Sequence, residues 1–101
     1  MNGVRIATAT ALVFTLMGHA SAAGLADAPP GALSCSGCHP PARSADATVA
    51  PLTGRNPADI AAAMQAFKSG QRPSTVMDRI AKGFSEEEVK AIAAWYAAQK
   101  D

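Results

Sequence analysis

The residues with the richest chemistry are two cysteines and a histidine that lie within five positions. Cys35 and Cys38 are separated by two residues and His39 follows directly, which gives the order Cys-x-x-Cys-His. On a helix, the two thiols would lie about one turn apart, with an imidazole beside them. Four kinds of chemistry use such a set: a structural disulfide, a redox-active dithiol, part of a zinc site, and covalent haem attachment through two thioether bonds.

The rest of the sequence favours haem attachment. A redox-active dithiol of this spacing usually lies in a strand-helix-strand setting, but no stretch alternates with the period of a strand over enough residues. Zinc takes four ligands, whereas the chain after residue 22 has one histidine, His39, and two cysteines. A structural disulfide stays as an alternative. We predict one covalent haem c per chain, held by Cys35 and Cys38, with His39 as an iron ligand.

A second iron ligand is expected from a methionine. In an electron carrier, a haem iron with one histidine usually takes a further ligand, and methionine raises the reduction potential. Met64 lies on a predicted helical stripe with Ile60 and Phe67, which favours a core role. Met77 follows a proline-containing loop, 38 residues after His39, so it can reach the opposite face of the haem. We predict His39 and Met77 as the axial ligands; a core role for Met77 is the alternative. With both positions filled, electron transfer is favoured over catalysis at the iron.

The beginning of the chain predicts export. Arg5 precedes an apolar run over 6–17, and small residues follow. This order is typical of a secretory signal peptide, which we place at residues 1–22, with cleavage after Ala23 as an alternative. An uncleaved membrane anchor is a further alternative. We expect a single domain over residues 23–101 in the periplasm, with no stable membrane anchor after cleavage.

The composition of the exported part limits its partners and its core. Subtracting 22 residues from 101 leaves 79, and Arg5 is the only charged residue removed, so eight Lys and Arg face eight Asp and Glu. This balance argues against nucleic-acid binding, which needs a basic surface. Nineteen of the 79 residues are alanine and only fifteen side chains are large and apolar. A chain with so few large apolar side chains needs a cofactor, a metal or a disulfide to stabilise its core.

The pattern of caps, prolines and glycines predicts an all-α protein: a small fold of about four short helices wrapped around one haem. Asn56 and Pro57 are typical of a helix start, and Ser85 with Glu88 forms the sequence of a capping box. The predicted helices are residues 32–39, 57 to the glycine at 70, 77–82, and 86 to about 99. The segments between them, 40–56 and 71–76, are predicted loops.

Weaker predictions concern the surroundings of the haem. We expect a backbone carbonyl near Ala50-Pro51 to accept a hydrogen bond from the second ring nitrogen of His39. Trp95 and Tyr96 are expected to pack the last helix against the helix that bears Cys35. Arg55 or Arg72 could pair with a haem propionate. Four apolar residues are expected to pack on the porphyrin: Leu52, Val76, Ile80 and Phe84.

These features resemble class I cytochromes c over residues 25–100. The resemblance rests on the Cys-x-x-Cys-His motif, on Pro51-Leu52-Thr53-Gly54, on a distal methionine and on an aromatic C-terminal helix. Residues 67–85 further resemble the cytochrome subunit of flavocytochrome c sulfide dehydrogenase, in which a K-S-G-x-R-P-x-T-V-M run contains the iron-ligating methionine. That likeness implies that Met77 ligates the iron and that Thr75 and Val76 line the haem pocket.

The resemblance also implies a role for the chain. Such a subunit is an electron carrier and not itself an enzyme: it accepts electrons from a periplasmic flavoprotein dehydrogenase and passes them to a downstream cytochrome or oxidase. Many of these subunits have two haem domains, whereas this chain has one attachment motif. The alternatives are a free-standing class I cytochrome c that serves several partners and, more distantly, a thiol-disulfide oxidoreductase that uses Cys35 and Cys38.

Overall fold

The computed structural model describes Gly24, residues 27–40 and residues 48–100. These residues form four helices and no strand, which confirms the predicted all-α class. No helix among them has both the length and the apolar character needed to cross a membrane. The predicted signal peptide over residues 1–22 lies outside the described residues. The helices are α1 (Ala32–Cys35), α2 (Pro57–Lys68), α3 (Met77–Ala81) and α4 (Glu86–Ala98).

Helix α2 begins as its sequence predicts. The Asn56 side chain accepts a hydrogen bond from Ala58 N at 2.8 Å, and Pro57 occupies the first helical position, where no N–H is needed. After the helix, Gly70 has a φ of 78°, a left-handed conformation that favours glycine. The last residue, Lys68, donates from Nζ to the carbonyl of Phe84 at 2.7 Å. This bond ties the end of α2 to the turn before α4.

Helix α4 begins with the predicted capping box. Ser85 Oγ accepts from Glu88 N at 3.2 Å, and the Glu88 carboxylate accepts from Ser85 N at 2.7 Å. Two backbone N–H groups that would lack a helical partner are thereby satisfied. Three glutamates in the first turn also interact favourably with the positive end of the helix dipole.

Helix α1 is shorter than predicted. The sequence indicated a helix over 32–39, but the helix ends at Cys35 and a turn follows over 36–38. In this turn, Gly37 N and Cys38 N bond to carbonyls three residues back, at 3.3 and 3.2 Å. Gly37 has a low helix propensity, and bonds of this shorter span are typical of a helix end that tightens. Helix α3 also ends one residue earlier than predicted, at Ala81.

The helices pack around a small core. Helix α2 contacts both α3 and α4, and α1 contacts α4. Among the described residues, no Cα atom of α1 lies within 8 Å of a Cα atom of α3. In the part of the chain that the structure describes, the buried apolar residues include three alanines, and no large side chain is fully buried. The buried residues there are Ala32, Ile60, Ala81, Ile92, Ala93, Trp95 and Tyr96.

Tyr96 joins the last helix to the first. Its hydroxyl donates to the carbonyl of Ala32 at 2.6 Å, and both residues are buried. Its ring lies edge-on to that of Trp95, with 4.8 Å between the ring centroids. The prediction that Trp95 and Tyr96 pack α4 against α1 is confirmed. Desolvation by burial, and after it the negative charge of a Cys35 thiolate, raise the pKa of Tyr96 above its ordinary value of 10.0.

Replacing Tyr96 with phenylalanine should lower the free energy of unfolding at pH 7 by about 1–3 kcal/mol, because the buried Ala32 carbonyl loses the hydrogen bond from the Tyr96 hydroxyl. The raised pKa gives this loss a pH dependence. Above about pH 10 the unfolded protein ionises Tyr96 before the folded protein does, so the wild type loses stability as pH rises through the folded-state pKa. The variant lacks this component, so the difference between the two proteins should shrink there.

Urea unfolding followed by far-UV circular dichroism, from pH 7 to about pH 11, measures both effects. Ser69→Ala is a matched control, since it removes an exposed hydroxyl that donates to Ala66 O at 3.2 Å, and it should change stability by less than about 0.5 kcal/mol. Equal losses in the two variants would contradict the role assigned to Tyr96.

Candidate functional site

The Cys-x-x-Cys-His segment begins on α1 and continues through the turn after it. Cys35 is the last residue of α1, and His39 N donates to Cys35 O at 2.9 Å, a bond of helical span. The backbone from Cys35 to His39 therefore completes one turn, as the motif requires. Cys35 is half-buried, Cys38 is exposed, and the two are free thiols. The site thus offers two thiols, about one helical turn apart, that are not joined in a disulfide.

The start of α1 depends on Gly31. This residue caps the helix with a φ of 85°, and a Cβ atom placed on it would lie 2.6 Å from Phe84 Cε1 and 3.6 Å from Ile92 Cδ1. Only glycine combines that backbone conformation with so close an approach. The sequence patterns described above do not single out Gly31. The signal that could have indicated it is a glycine directly before a short helix.

The burial of Cys35 does not favour its thiolate form. Desolvation by burial raises its pKa above the ordinary value of 9.0, only partly opposed by a backbone hydrogen bond. Its Sγ lies 3.5 Å from Gly31 O and donates to it. The nucleophile of a thiol-disulfide oxidoreductase instead has a lowered pKa that favours the thiolate. Together with the lack of a strand among the described residues, this counts against the oxidoreductase alternative.

His39 has its ring orientation fixed by a backbone carbonyl. Its Nδ1 lies 2.5 Å from Ala50 O, which confirms the predicted partner near Ala50-Pro51. Because a carbonyl can only accept, Nδ1 carries the proton and donates. In the neutral imidazole the other ring nitrogen, Nε2, then carries a lone pair, and this is the form of imidazole that binds a metal.

The loop that carries Ala50 is itself held by α4. Gly54, with a φ of 68°, donates from its N–H to Tyr96 O at 3.0 Å. Leu52, predicted to contact the haem, is half-buried and packs against the hydrophobic core. Tyr96 therefore supports both sides of the site: its hydroxyl holds α1, and its carbonyl holds the loop that orients His39.

Met77 begins α3 and lies on a different part of the scaffold. Its side chain is half-buried, while Thr75 and Val76 before it are exposed. Helix α3 packs on α2, and the loop before it is anchored where Arg72 N donates to Ala66 O at 3.1 Å. Among the described residues, α1, which leads into His39, and α3, which begins with Met77, have no Cα atoms within 8 Å of each other.

Met64 lies elsewhere. It is half-buried in an open, mainly apolar groove of about 180 Å³ between α2 and α4, next to Phe84 and Val89. None of the residues of the Cys-x-x-Cys-His segment lines this groove. The surroundings of Met64 are those of a packing residue, as its helical stripe suggested.

Exposed apolar side chains lie on the segments that carry, or lead into, the residues predicted to hold a haem. Four large ones leave more than a third of their surface exposed: Leu33 at 51%, Val49 at 37%, Val76 at 48% and Ile80 at 38%. They belong to α1, to the loop that carries Ala50, to the loop before Met77 and to α3. Their surface is available to an apolar ligand. The donor set, two thiols and one imidazole, matches what a c-type haem requires.

A zinc site finds less support in the same residues. Among the described parts of the chain, no three His, Cys, Asp or Glu side chains come together in a group that could hold a metal ion. A protein zinc site needs three or four such ligands.

Arg55 and Arg72, predicted as possible partners of a haem propionate, are both exposed. The Arg72 guanidinium lies 4.8 Å from the centre of the Phe67 ring.

The all-helical fold and this motif are consistent with a small cytochrome c. A comparison with known proteins agrees: the chain is 41% identical over 64 residues to the cytochrome subunit of sulfide dehydrogenase from Chlorobaculum tepidum. The match covers 63% of this chain and 58% of that relative, so the chain spans less than two thirds of the relative's length. No model of a protein family matches the chain. The predicted resemblance to this cytochrome subunit is confirmed.

Proposed function

We propose that this chain is an exported, monohaem electron carrier. One haem c is bound covalently through Cys35 and Cys38, and its iron is ligated by His39 and Met77. The observation that carries the proposal is the hydrogen bond between His39 Nδ1 and Ala50 O. It leaves Nε2 available to bind a metal, and His39 directly follows a pair of cysteines that form no disulfide. The likeness to a cytochrome subunit supports the same conclusion.

Each residue has a separate part in this function. Cys35 and Cys38 hold the porphyrin edge against α1, and the Ala50 carbonyl keeps the His39 ring in one tautomer and orientation. The Met77 thioether is a soft, neutral ligand that favours the reduced iron. Leu52, Thr75 and Val76 line the pocket, and apolar lining residues keep water from the metal. When bound, the haem supplies an iron whose charge changes by one as an electron is accepted or released.

The partner is proposed to be a periplasmic flavoprotein dehydrogenase, with sulfide as its substrate. Two observations support this: the K-S-G-x-R-P-x-T-V-M run that ends at Met77, and the identity to a sulfide dehydrogenase subunit. A downstream cytochrome or oxidase then takes the electron. The signal-peptide pattern over residues 1–22 supports export to the periplasm, where haem attachment takes place. The alternative is a free-standing cytochrome c that serves several partners.

Haem attachment can be tested by labelling the cysteines. The protein made with a cytochrome c maturation system should carry one covalent haem per chain, and after denaturation and reduction neither Cys35 nor Cys38 should react with an alkylating reagent. The same chain made without that system is the control, and both of its thiols should be labelled. A folded protein from the first preparation with two labelled cysteines would instead support the oxidoreductase.

The methionine ligand can be identified with two matched variants. Met77→Ala should abolish the weak near-infrared absorption of methionine-ligated ferric haem and lower the reduction potential. Met64→Ala should keep the absorption and lose about 1–3 kcal/mol of stability, because it removes a half-buried packing side chain. Survival of the absorption in Met77→Ala, with loss in Met64→Ala, would reverse the assignment.

Purification from the native source tests the partner. A haem protein in a fixed complex should elute together with a flavin chromophore, and its haem should become reduced when sulfide is added. If the haem protein elutes alone, free of flavin, and exchanges electrons with several cytochromes, the shuttle is the correct function.

A further inference from the structure

The segment that presents Met77 has few ties to the rest of the protein. Residues 73–76 are all exposed. In the part of the chain that the structure describes, their hydrogen bonds go only to α3. Val76 O accepts from Arg79 N at 3.0 Å and from Ile80 N at 3.2 Å, which are the first bonds of the helix itself. The position of the segment therefore depends on how it is joined to α3.

Ser74 makes that join from its side chain. Its Oγ accepts a hydrogen bond from Asp78 N at 2.9 Å and donates to Asp78 Oδ1 at 3.3 Å. The N–H of Asp78 lies in the first turn of α3 and has no carbonyl partner within the helix, so a hydroxyl at this point acts as a cap. We call this pair of bonds the Ser74–Asp78 clasp. Met77 lies between its two residues, within one turn of the chain.

We propose that Ser74 is a positioning residue that holds Met77 on the haem iron through the Ser74–Asp78 clasp. This inference rests on the proposed function, since it assumes that Met77 is the ligand. Helix α3 contacts α2 but no other described helix, so packing restrains it on one side only. The clasp fixes the backbone on either side of Met77, and losing it raises the fraction of molecules in which the loop has opened and the sulfur has left the metal.

The competition between Met77 and an added ligand measures this opening. Imidazole can bind the ferric iron only where Met77 has dissociated, so its apparent affinity rises with the opened fraction. Ser74→Ala should bind imidazole about three- to tenfold more tightly than the wild type, the size expected when a small number of exposed hydrogen bonds is removed. Binding is monitored by the loss of the near-infrared absorption.

Two variants show whether the clasp is the cause. Ser74→Thr keeps the hydroxyl and should bind imidazole within about twofold of the wild type. Ser69→Ala is the matched control: it removes an exposed serine hydroxyl that donates to Ala66 O at 3.2 Å, at the end of α2 and away from Met77. It should leave imidazole affinity unchanged. Urea unfolding of all three holoproteins separates local opening from global stability.

Asp78→Ala gives a second measurement that does not depend on the folding of Ser74→Ala. It removes the bond at 3.3 Å and leaves the backbone bond at 2.9 Å, so its imidazole affinity should lie between those of the wild type and Ser74→Ala. Wild-type affinity in both Ser74→Ala and Asp78→Ala would overturn the inference, as would an equal rise in Ser69→Ala. A wild-type holoprotein without the near-infrared absorption would instead overturn Met77 ligation, so the two failures are distinguishable.

Discussion

The packing of α1 on α4 is the contact on which the rest of the site depends. Ala32 is completely buried, Tyr96 bonds to its carbonyl, and Gly31 lets the backbone come close to Phe84 and Ile92. The helix that carries Cys35 has only four residues, too few to be stable without a partner. Its geometry is therefore set by tertiary contact with α4, and through α4 by the rest of the fold.

A series of hydrogen bonds connects α4 to the imidazole ring of His39. The carbonyl of Tyr96 holds Gly54, the short loop from Gly54 leads back to Ala50, and the carbonyl of Ala50 holds the imidazole. The Met77 side of the site lacks such a support, because α3 rests on α2 through a short stretch and its loop is exposed. Of the two residues proposed as iron ligands, His39 is thus held by the scaffold, and Met77 depends on local hydrogen bonds. This asymmetry would suit a ligand pair in which an imidazole is opposed by a softer, weaker thioether.

Much of the fold could be predicted from the sequence because local rules determine it. The caps at Asn56 and Ser85 use the side chains of the residues that flank each helix, so they can be recognised without knowledge of the tertiary structure. The Cys-x-x-Cys-His segment could be recognised for the same reason. The carbonyl partner of His39 was anticipated from the general need of a metal-binding imidazole for a second hydrogen bond.

The parts that could not be predicted depend either on contacts between distant segments or on local signals that are too weak to recognise. The close approach of Gly31 to Phe84 involves residues 53 positions apart in the chain, and nothing local to Gly31 indicates it. The clasp between Ser74 and Asp78 is local, but its signal is one serine in a loop that also contains proline and threonine. The early end of α1 depends on a small difference in stability between a further α-helical turn and a tighter turn, and Gly37 favours the tighter one. Helix propensity alone does not predict where such a helix ends.

The bond between Tyr96 and Ala32 joins residues that are 64 positions apart, and this has a consequence for the order of events during biogenesis. A chain is synthesised from its N-terminus, so α1 is made long before α4 exists to receive it. Until then the four-residue helix has no partner that can stabilise it, and the cysteine segment stays accessible. The two ends of the domain come together only once the final helix has been made, so the haem attachment proposed for Cys35 and Cys38 would precede the burial of α1.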